Sequence, residues 1–377
     1  MSARAAIVAL APLLSGGCAA LTTMHVAPGP FADRRPLPVA GTELFDWKGV
    51  VHCHGRLSHD STGTLAEIAA AAQLARLDFL VMTDHQTDAS IADGTRGMVG
   101  DTLFVVGAEV RAPQGTLLCF PLTRPLRRWQ HVGLLVKEAA EQGALAFVCH
   151  GELWQTSWNV PGLCGAEIVN LHAGALDRDF VGTILTALFL PIRAVCERIV
   201  VRDPVIFAEW DRALARRHPC TPIGGNDAHA NVQALGPLGG TIGDYPAILQ
   251  TLSTHVLAPR GAAGHLDEAS LVEAFAKGRT YVACDVFGEG AGFDFRVVDA
   301  QGLVHLGGDT VAADPGLRLE VTTPTVGRIA LLRDGVEVDH RDATTFALRA
   351  PQPGLYRVEV RTPDGEPWLF SSSIRVR

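Results

Sequence analysis

Val51-His52-Cys53-His54-Gly55-Arg56-Leu57-Ser58-His59-Asp60-Ser61 is the stretch from which the rest of the chain is read. His52 and His54 stand two apart at the end of the apolar pair Val50-Val51. On a strand, residues i and i+2 face the same side. The two imidazoles therefore point one way, a metal-ligand pair, and Cys53 points the other way into the packing. From Thr64 to Leu77 apolar residues recur at helical spacing (Leu65, Ile68, Ala69, Ala72, Leu77). Phe79–Met82 then reads as a second strand that runs into Asp84 and His85. Strand, helix and strand, with His or Asp where the strands stop, is the pattern of parallel α/β proteins. Their sites lie at the carboxyl ends of the strands.

The pattern recurs downstream. Leu103–Val106 runs into Gly107-Ala108-Glu109, Ala144–Val148 into Cys149-His150, and Glu167–Leu171 into His172. Thr221–Gly225 leads to Asn226-Asp227-Ala228-His229, where Asp227 and His229 are again two apart. Two metals that share a bridging group need five or six carboxylates and imidazoles, and these strand ends offer more. Cys149, like Cys53, is expected to face the hydrophobic layer. The remaining cysteines show no C-x-x-C spacing, which argues for small buried hydrophobes over a zinc–thiolate site. His25, His131, His218, His255 and His265 have no strand-end company and are assigned no role.

In their order, H-x-H, S-H-D-S, T-D-H, G-x-E, a strand-end His and D-A-H resemble the PHP (polymerase and histidinol phosphatase) family, over roughly residues 47 to 285. The nearest variety is the secreted carbaryl-hydrolase-like branch, which is similar in its S-H-D-S form and its β-rich tail. The resemblance implies a distorted (β/α)7 barrel with two or three divalent metals: zinc, manganese or iron. It implies hydrolysis of phosphoesters first, and of carbamate or carboxylate esters as the alternative. On this reading His52, His54, His85, His150, Asp227 and His229 are metal ligands, and Glu109 is the carboxylate that bridges two metals. His59 and Asp60 compete for one ligand position, with His59 favoured. His172 is a further ligand, unless Asn170 or Glu167 takes its place. Asp84 is placed beside His85 as a supporting carboxylate, and Arg56 near an anionic group of the substrate. Glu109, Asp227, Asp84 and Arg56 form the expected catalytic set.

No G-x-S-x-G elbow, phosphate-binding loop or dinucleotide fingerprint occurs. The expected nucleophile is therefore water, whose pKa a bound metal lowers from 15.7 toward about 7. A reading of another class also stands: a surface lipoprotein that holds metal without catalysis.

The chain has 377 residues, 47% hydrophobic and 19% charged, which fits a globular protein with ample core. A formal charge of −8 argues against a nucleic-acid partner. Residues 1–23 read as an export signal: Arg4, an apolar core from Ala5 to Leu14, then Ser15-Gly16-Gly17-Cys18. L-S-G-G-C resembles a lipoprotein signal in which Cys18 carries the lipid, although Leu14 lies one position too far upstream. The alternatives are simple cleavage or an uncleaved anchor. Residues 24–45, with Pro28, Pro30, Pro36 and Pro38, read as a tether to a membrane surface. The expected metallohydrolase domain then spans 46–290. It includes helices at Leu134–Gln142, within Phe180–Val200, at Val205–Arg217, Tyr245–Leu252 and Asp267–Lys277. From Phe293 the apolar period changes to two, with turns at Asp334-Gly335 and Asp364-Gly365. A β-sandwich is expected over 291–377. The partner implied is a small-molecule ester.

Overall fold

The computed structural model describes residues 36–177, 182–183, 186, 190–230 and 244–377. The export segment with Cys18, the first part of the tether, most of Phe180–Leu190 and most of the Gly-rich turn after His229 lie outside the described residues.

The chain is a mixed α/β protein, and its strands join one hydrogen-bonded sheet. β1 (Leu37–Pro38) pairs with the start of β2 (Phe45–Cys53). β3 (Phe79–Met82) lies parallel to β2, and β5 (Thr102–Val106) parallel to β3, with the short β4 (Gly97–Val99) antiparallel to β5. β6 (Ala108–Ala112) and β7 (Gly115–Phe120) form a hairpin, and β8 (Leu145–Cys149) runs antiparallel to β7. β9 (Gly165–Asn170) is parallel to β8, β10 (Thr221–Ala228) is parallel to β9, and β10 is also parallel to the last residues of β2. β11 (Ser253–Ala258) pairs antiparallel with the first half of β2, and β12 (Thr280–Ala283) with β11.

The β6–β7 hairpin breaks the expected alternation of strand and helix. Gly-Thr-Leu-Leu-Cys-Phe follows a Pro-Gln-Gly turn too short to hold a helix. The helix Leu65–Ala75 is as the spacing predicts, and a capping box of Thr64 and Glu67 starts it. The helix expected at Leu134–Gln142 is Val132–Ala140, two residues earlier, because His131 caps it by accepting from Gly133 N at 3.1 Å. Pro191 precedes the helix Ile192–Ile199, and Asp203 caps the helix Pro204–Arg216. The helix expected from Tyr245 to Leu252 stops at Ile248, and the one from Asp267 to Lys277 is Glu268–Ala276 with Asp267 as its cap. Among the described residues no helix is long and apolar enough to cross a membrane.

Two apolar clusters line the two faces of these strands. The outer one joins Val50, Cys53, Leu80, Phe104 and Val106 to the helices through Ile68, Leu135, Phe207 and Trp210. The inner one gathers Val51, Phe79, Val81, Val105, Leu118, Phe120, Phe147, Cys149 and Ile223 with Phe275. Phe120 stacks on Phe147 at 5.2 Å between centroids, and Phe275 stands edge-on to both at 5.3 and 5.8 Å. Each such ring contributes about 1.5–3 kcal/mol by leaving water. A Cβ at Gly49 would lie 2.4 Å from the Phe79 ring, so that glycine is what lets the ring reach the inner cluster.

The chain then forms β13 (Asp294–Val298), β14 (Val304–His305), β15 (Thr310–Val311), β16 (Arg318–Arg333), β17 (Val336–Arg349), β18 (Gly354–Arg361), β19 (Pro367–Ser371) and β20 (Ile374–Val376). β16 pairs with β13, β17 and β18. β19 pairs with β18 and also with β12, which continues hydrogen bonding from the first part of the chain into the second. A third apolar cluster, including Phe295, Leu319, Val358 and Trp368, fills this part.

Candidate metal centre

The strand ends converge as the sequence predicts, but the backbone departs from extended geometry to bring them together. His52, His150 and Asp227 have positive φ, at 74°, 48° and 47°. That region is uncommon for residues with a Cβ, and such conformations cost about 1–3 kcal/mol each. The register of β2 shifts against both neighbours between Val51 and Cys53, which re-aims His52.

Three groups of donor atoms result. In the first, His52 Nε2 lies 3.3 Å from Glu109 Oε2 and 3.1 Å from Asp227 Oδ1, and His54 Nε2 lies 3.3 Å from each of the same oxygens. In the second, Asp60 Oδ2 is 2.8 Å from His85 Nε2 and 3.4 Å from His229 Nε2. In the third, Asp227 Oδ2 is 3.7 Å from His150 Nε2 and 3.6 Å from His172 Nδ1. Glu109 and Asp227 each present one oxygen to the first group and the other to His150, with Glu109 Oε1 3.8 Å from His150 Nε2. His85 Nδ1 also faces Glu109 Oε2, at 3.6 Å. The first and third groups could each hold a metal ion, their ligand atoms lying within 4.8 Å of one another, and so could Asp60 with either His85 and His59 or His229 and His54.

These donors fit a divalent cation. Zinc–ligand bonds of 2.0–2.1 Å in a tetrahedron place neighbouring ligand atoms about 3.3–3.4 Å apart, close to the spacing of the first group. His54 is fully buried and its Nε2 has no hydrogen-bond partner. An orphaned buried nitrogen costs about 1–3 kcal/mol, a cost that coordination removes.

The electrostatics point the same way. Burial by itself opposes a charge on Asp227 and on Glu109, yet His52 and His54 outweigh it and hold both carboxyls well below their ordinary range. Burial opposes a charge on His52 as well, and Asp227 foremost, with Cys149 and Glu167, pushes it well above the usual histidine value.

The remaining site residues fall around this centre. Asp60 reaches both His85 and His229; His59, exposed like Asp60, lies 4.7 Å from the His85 ring between centroids and within ligand-atom range of Asp60 and His85. His172 is not at a strand end: β9 stops at Asn170, and His172 lies in the first turn of the helix Leu171–Asp177 with half its side chain exposed. Asp84 joins none of the donor groups given above; its Oδ1 accepts from Gly55 N at 2.6 Å and fixes the backbone behind His54. Burial raises its carboxyl. Arg56 is exposed beside the centre. Glu167 lies behind His52, with its Oε1 2.6 Å from His52 Nδ1.

Cys149 corrects an expectation. It does pack in the inner apolar cluster, but that cluster reaches the floor of the site, and Cys149 Sγ lies 3.8 Å from His52 Nδ1. Facing the apolar layer and facing the ligands are here the same direction. Cys53 packs in the outer cluster as expected. The seven described cysteines are free. Sequence reasoning also passed over Ser58, whose Oγ meets His54 Nδ1 at 3.1 Å, donates to Asp60 Oδ1 at 2.7 Å and accepts from His85 N at 3.0 Å. Tyr245, which donates to His54 O at 2.6 Å, was missed too. A serine inside the S-H-D-S motif was the available signal; Tyr245 had none.

No family model matches the chain, and no curated protein does. Among solved structures, the chain is similar to a two-domain protein containing a predicted PHP-like metal-dependent phosphoesterase from Bacteroides vulgatus ATCC 8482. The match is at 16% identity and TM-score 0.43, and covers 92% of this chain and 100% of that one. That is a distant likeness, below the level at which one structure can speak for the site of another.

Proposed function

We propose that the protein is a metal-dependent hydrolase of ester bonds, of PHP type, with phosphoesters as its first substrate class. The observation that carries the reading is the buried first group. Two imidazoles and two carboxylates aim at one another at 3.1–3.3 Å, with one imidazole nitrogen unpartnered. The circuit of pairings from β2 through β3, β5–β6, β7, β8, β9 and β10 back to β2 supports a distorted seven-stranded barrel around it. The strands after Gly290 support a separate β-sandwich domain.

His52, His54, Glu109 and Asp227 would hold one cation; Asp60, His85 and His229 a second; and Glu109, His150, His172 and Asp227 a third. Bound there, divalent cations supply Lewis-acid polarisation of the ester oxygen and activation of the attacking water. The chain's own part is placement. Glu109 and Asp227, each with oxygens facing two groups, set the spacing of the centre. Ser58 orients His54 and Asp60 together, and Asp84 holds the Gly55 turn. Half-exposed His172 stands at the rim, the third group's most solvent-accessible ligand.

Elemental analysis of the purified protein, with a screen of chromogenic phosphate, carboxylate and carbamate esters, tests this. Stoichiometric metal with phosphoester turnover supports the reading. Turnover of carbamates or carboxylates alone replaces the substrate class. A metal-replete protein that hydrolyses none of them would be a binding protein instead.

A further inference from the structure

The chemistry proposed above needs several ligands to be in the right state at once, and one buried side chain holds two of them from behind. Glu167, the third residue of β9, is 2% exposed. Its Oε1 meets His52 Nδ1 at 2.6 Å. Its Oε2 accepts from the backbone N–H of His150 at 3.0 Å and from Asn170 Nδ2 at 2.9 Å. His52 and His150 are two of the three centre residues with left-handed backbone. The chain makes room for this carboxylate: a Cβ at Gly225 would lie 2.1 Å from Glu167 Oε1 and 2.9 Å from Asn170 Nδ2. Glu167 Oε2 takes two N–H donors and its Oε1 faces the His52 ring nitrogen, so both oxygens are engaged from the protein side.

A carboxylate oxygen against His52 Nδ1 has a consequence for the ring: the proton is held on Nδ1, so Nε2, which faces Glu109 and Asp227, is the nitrogen left to ligate a cation when one binds. The other oxygen pins the left-handed turn that carries the His150 ring toward Glu109 Oε1 and Asp227 Oδ2. His52 belongs to the first donor group and His150 to the third. We infer that Glu167 is a positioning residue that couples these two groups, so that ordering one by a bound cation orders the other. The inference rests on the metal-centre reading above. It implies that the His52 and His150 groups load as a unit, while the Asp60–His85–His229 group, which Glu167 does not touch, loads independently.

Glu167→Gln separates the two halves of this role. A glutamine has a single oxygen. If that oxygen faces His52, the amide NH2 confronts two donors, His150 N–H and Asn170 Nδ2. If it faces His150, the NH2 donates to His52 Nδ1 and forces the proton onto Nε2, which blocks the ligand atom. The experiment is titration of metal-stripped full-length protein with cobalt(II), followed by d–d absorption and elemental stoichiometry, for wild type, Glu167→Gln and Asn170→Ala. Long-range 1H–15N spectra of the histidine rings report the tautomer of His52. In wild type, the His52 and His150 groups are expected to fill cooperatively. In Glu167→Gln, affinity at both should fall about 10- to 100-fold, the range for lost outer-shell partners of metal ligands. The Asp60–His85–His229 group should be unchanged. Asn170→Ala, which keeps the carboxylate, should fold as wild type and show a smaller loss at the same two groups. A wild type that binds no cobalt would remove the metal-centre reading itself. Wild-type binding with only one group weakened in Glu167→Gln, or none, would overturn the coupling and leave that reading intact. If Glu167→Gln fails to fold, Asn170→Ala and the His52 ring decide: a His52 without a proton on Nδ1 in the wild type is incompatible with the proposal.

Discussion

Two of the places where this molecule buries charge are built in opposite ways. At the junction between the helix Pro204–Arg216 and β18, the Arg357 guanidinium meets Asp211 through two bonds of 2.8 Å and also bonds Glu359. Arg202 closes the set on Glu359 at 2.6 and 2.7 Å. Two cations face two carboxylates in forked, charge-assisted geometry, with Arg202 also 4.1 Å over the Phe207 ring. At the metal centre, six imidazoles and three carboxylates approach without closing on each other: most contacts exceed 3 Å, and His54 Nε2 has no hydrogen-bond partner. The junction is complete as it stands. The centre is arranged around something else, and pays for that arrangement with three left-handed residues.

The largest expected effect breaks the complete network. Arg357→Ala leaves Asp211 and Glu359 facing a void, and loss of one partner from a buried ion pair costs about 3–5 kcal/mol. Urea or thermal unfolding measures it, and metal content should not change. Arg357→Met, which refills the volume, should lose less. If the alanine variant unfolds like wild type, the network contributes nothing that water could not supply.

The next effect breaks the incomplete one. Glu109→Gln keeps the size of the side chain but removes the charge that faces two donor groups. Activity should fall at least about a hundredfold, since misplacement by about 1 Å suffices for that, equivalent to about 2.7 kcal/mol of barrier. Like Arg357→Ala, it should lower the stability of the metal-free protein, because the charge removed is one that His52 and His54 hold, but unlike Arg357→Ala it should also lower metal content. Chelation should lower the melting temperature of wild type more than that of this variant. Residues acting as one unit are not additive, so His52→Ala/Asp227→Ala should be little worse than either single change. Full metal occupancy with near-normal turnover in Glu109→Gln would remove it as the bridge.

The contrast also explains what could be read from the sequence. His52, His54, Glu109, Asp227 and His229 were legible because two-residue spacing and strand-end position are local facts. The helix at Leu65 was legible through the helical spacing of its apolar residues. Glu167 was visible only as a spare carboxylate, since its role depends on β9 lying beside β10, where Gly225 makes room for it. Cys149 was misread because alternation along β8 says which face a residue is on, not how far up that face the site begins. His172 was placed at a strand end because an apolar run does not show where β9 gives way to a helix one residue earlier. The β6–β7 hairpin was missed because a rule of alternating strand and helix leaves no place for it. The Arg357 network was invisible: its partners lie 146 and 157 residues apart along the chain.

The smallest effect concerns acid. Burial would raise the Glu359 carboxyl, but Arg202 first and Arg357 with it outweigh that and hold it below its ordinary value. An unfolded glutamate titrates near about 4.3. A carboxyl whose folded value is depressed stabilises the fold fully above the unfolded value and loses that contribution as pH falls through the folded one. From pH 7 down to about 5, the stability difference between wild type and Glu359→Gln should therefore stay constant. Below about 4.3 it should shrink, as wild type comes to carry a neutral side chain there as well. Asp211 and the two arginines face the same network and are identical in both proteins, so the difference isolates Glu359. Thermal unfolding of the pair at a series of pH values measures it, with chelator present so that the metal centre does not contribute its own acid dependence. Curves that remain parallel through the acid range would mean that Glu359 titrates in the fold as it does in the unfolded chain, and that the junction is held by shape more than by charge.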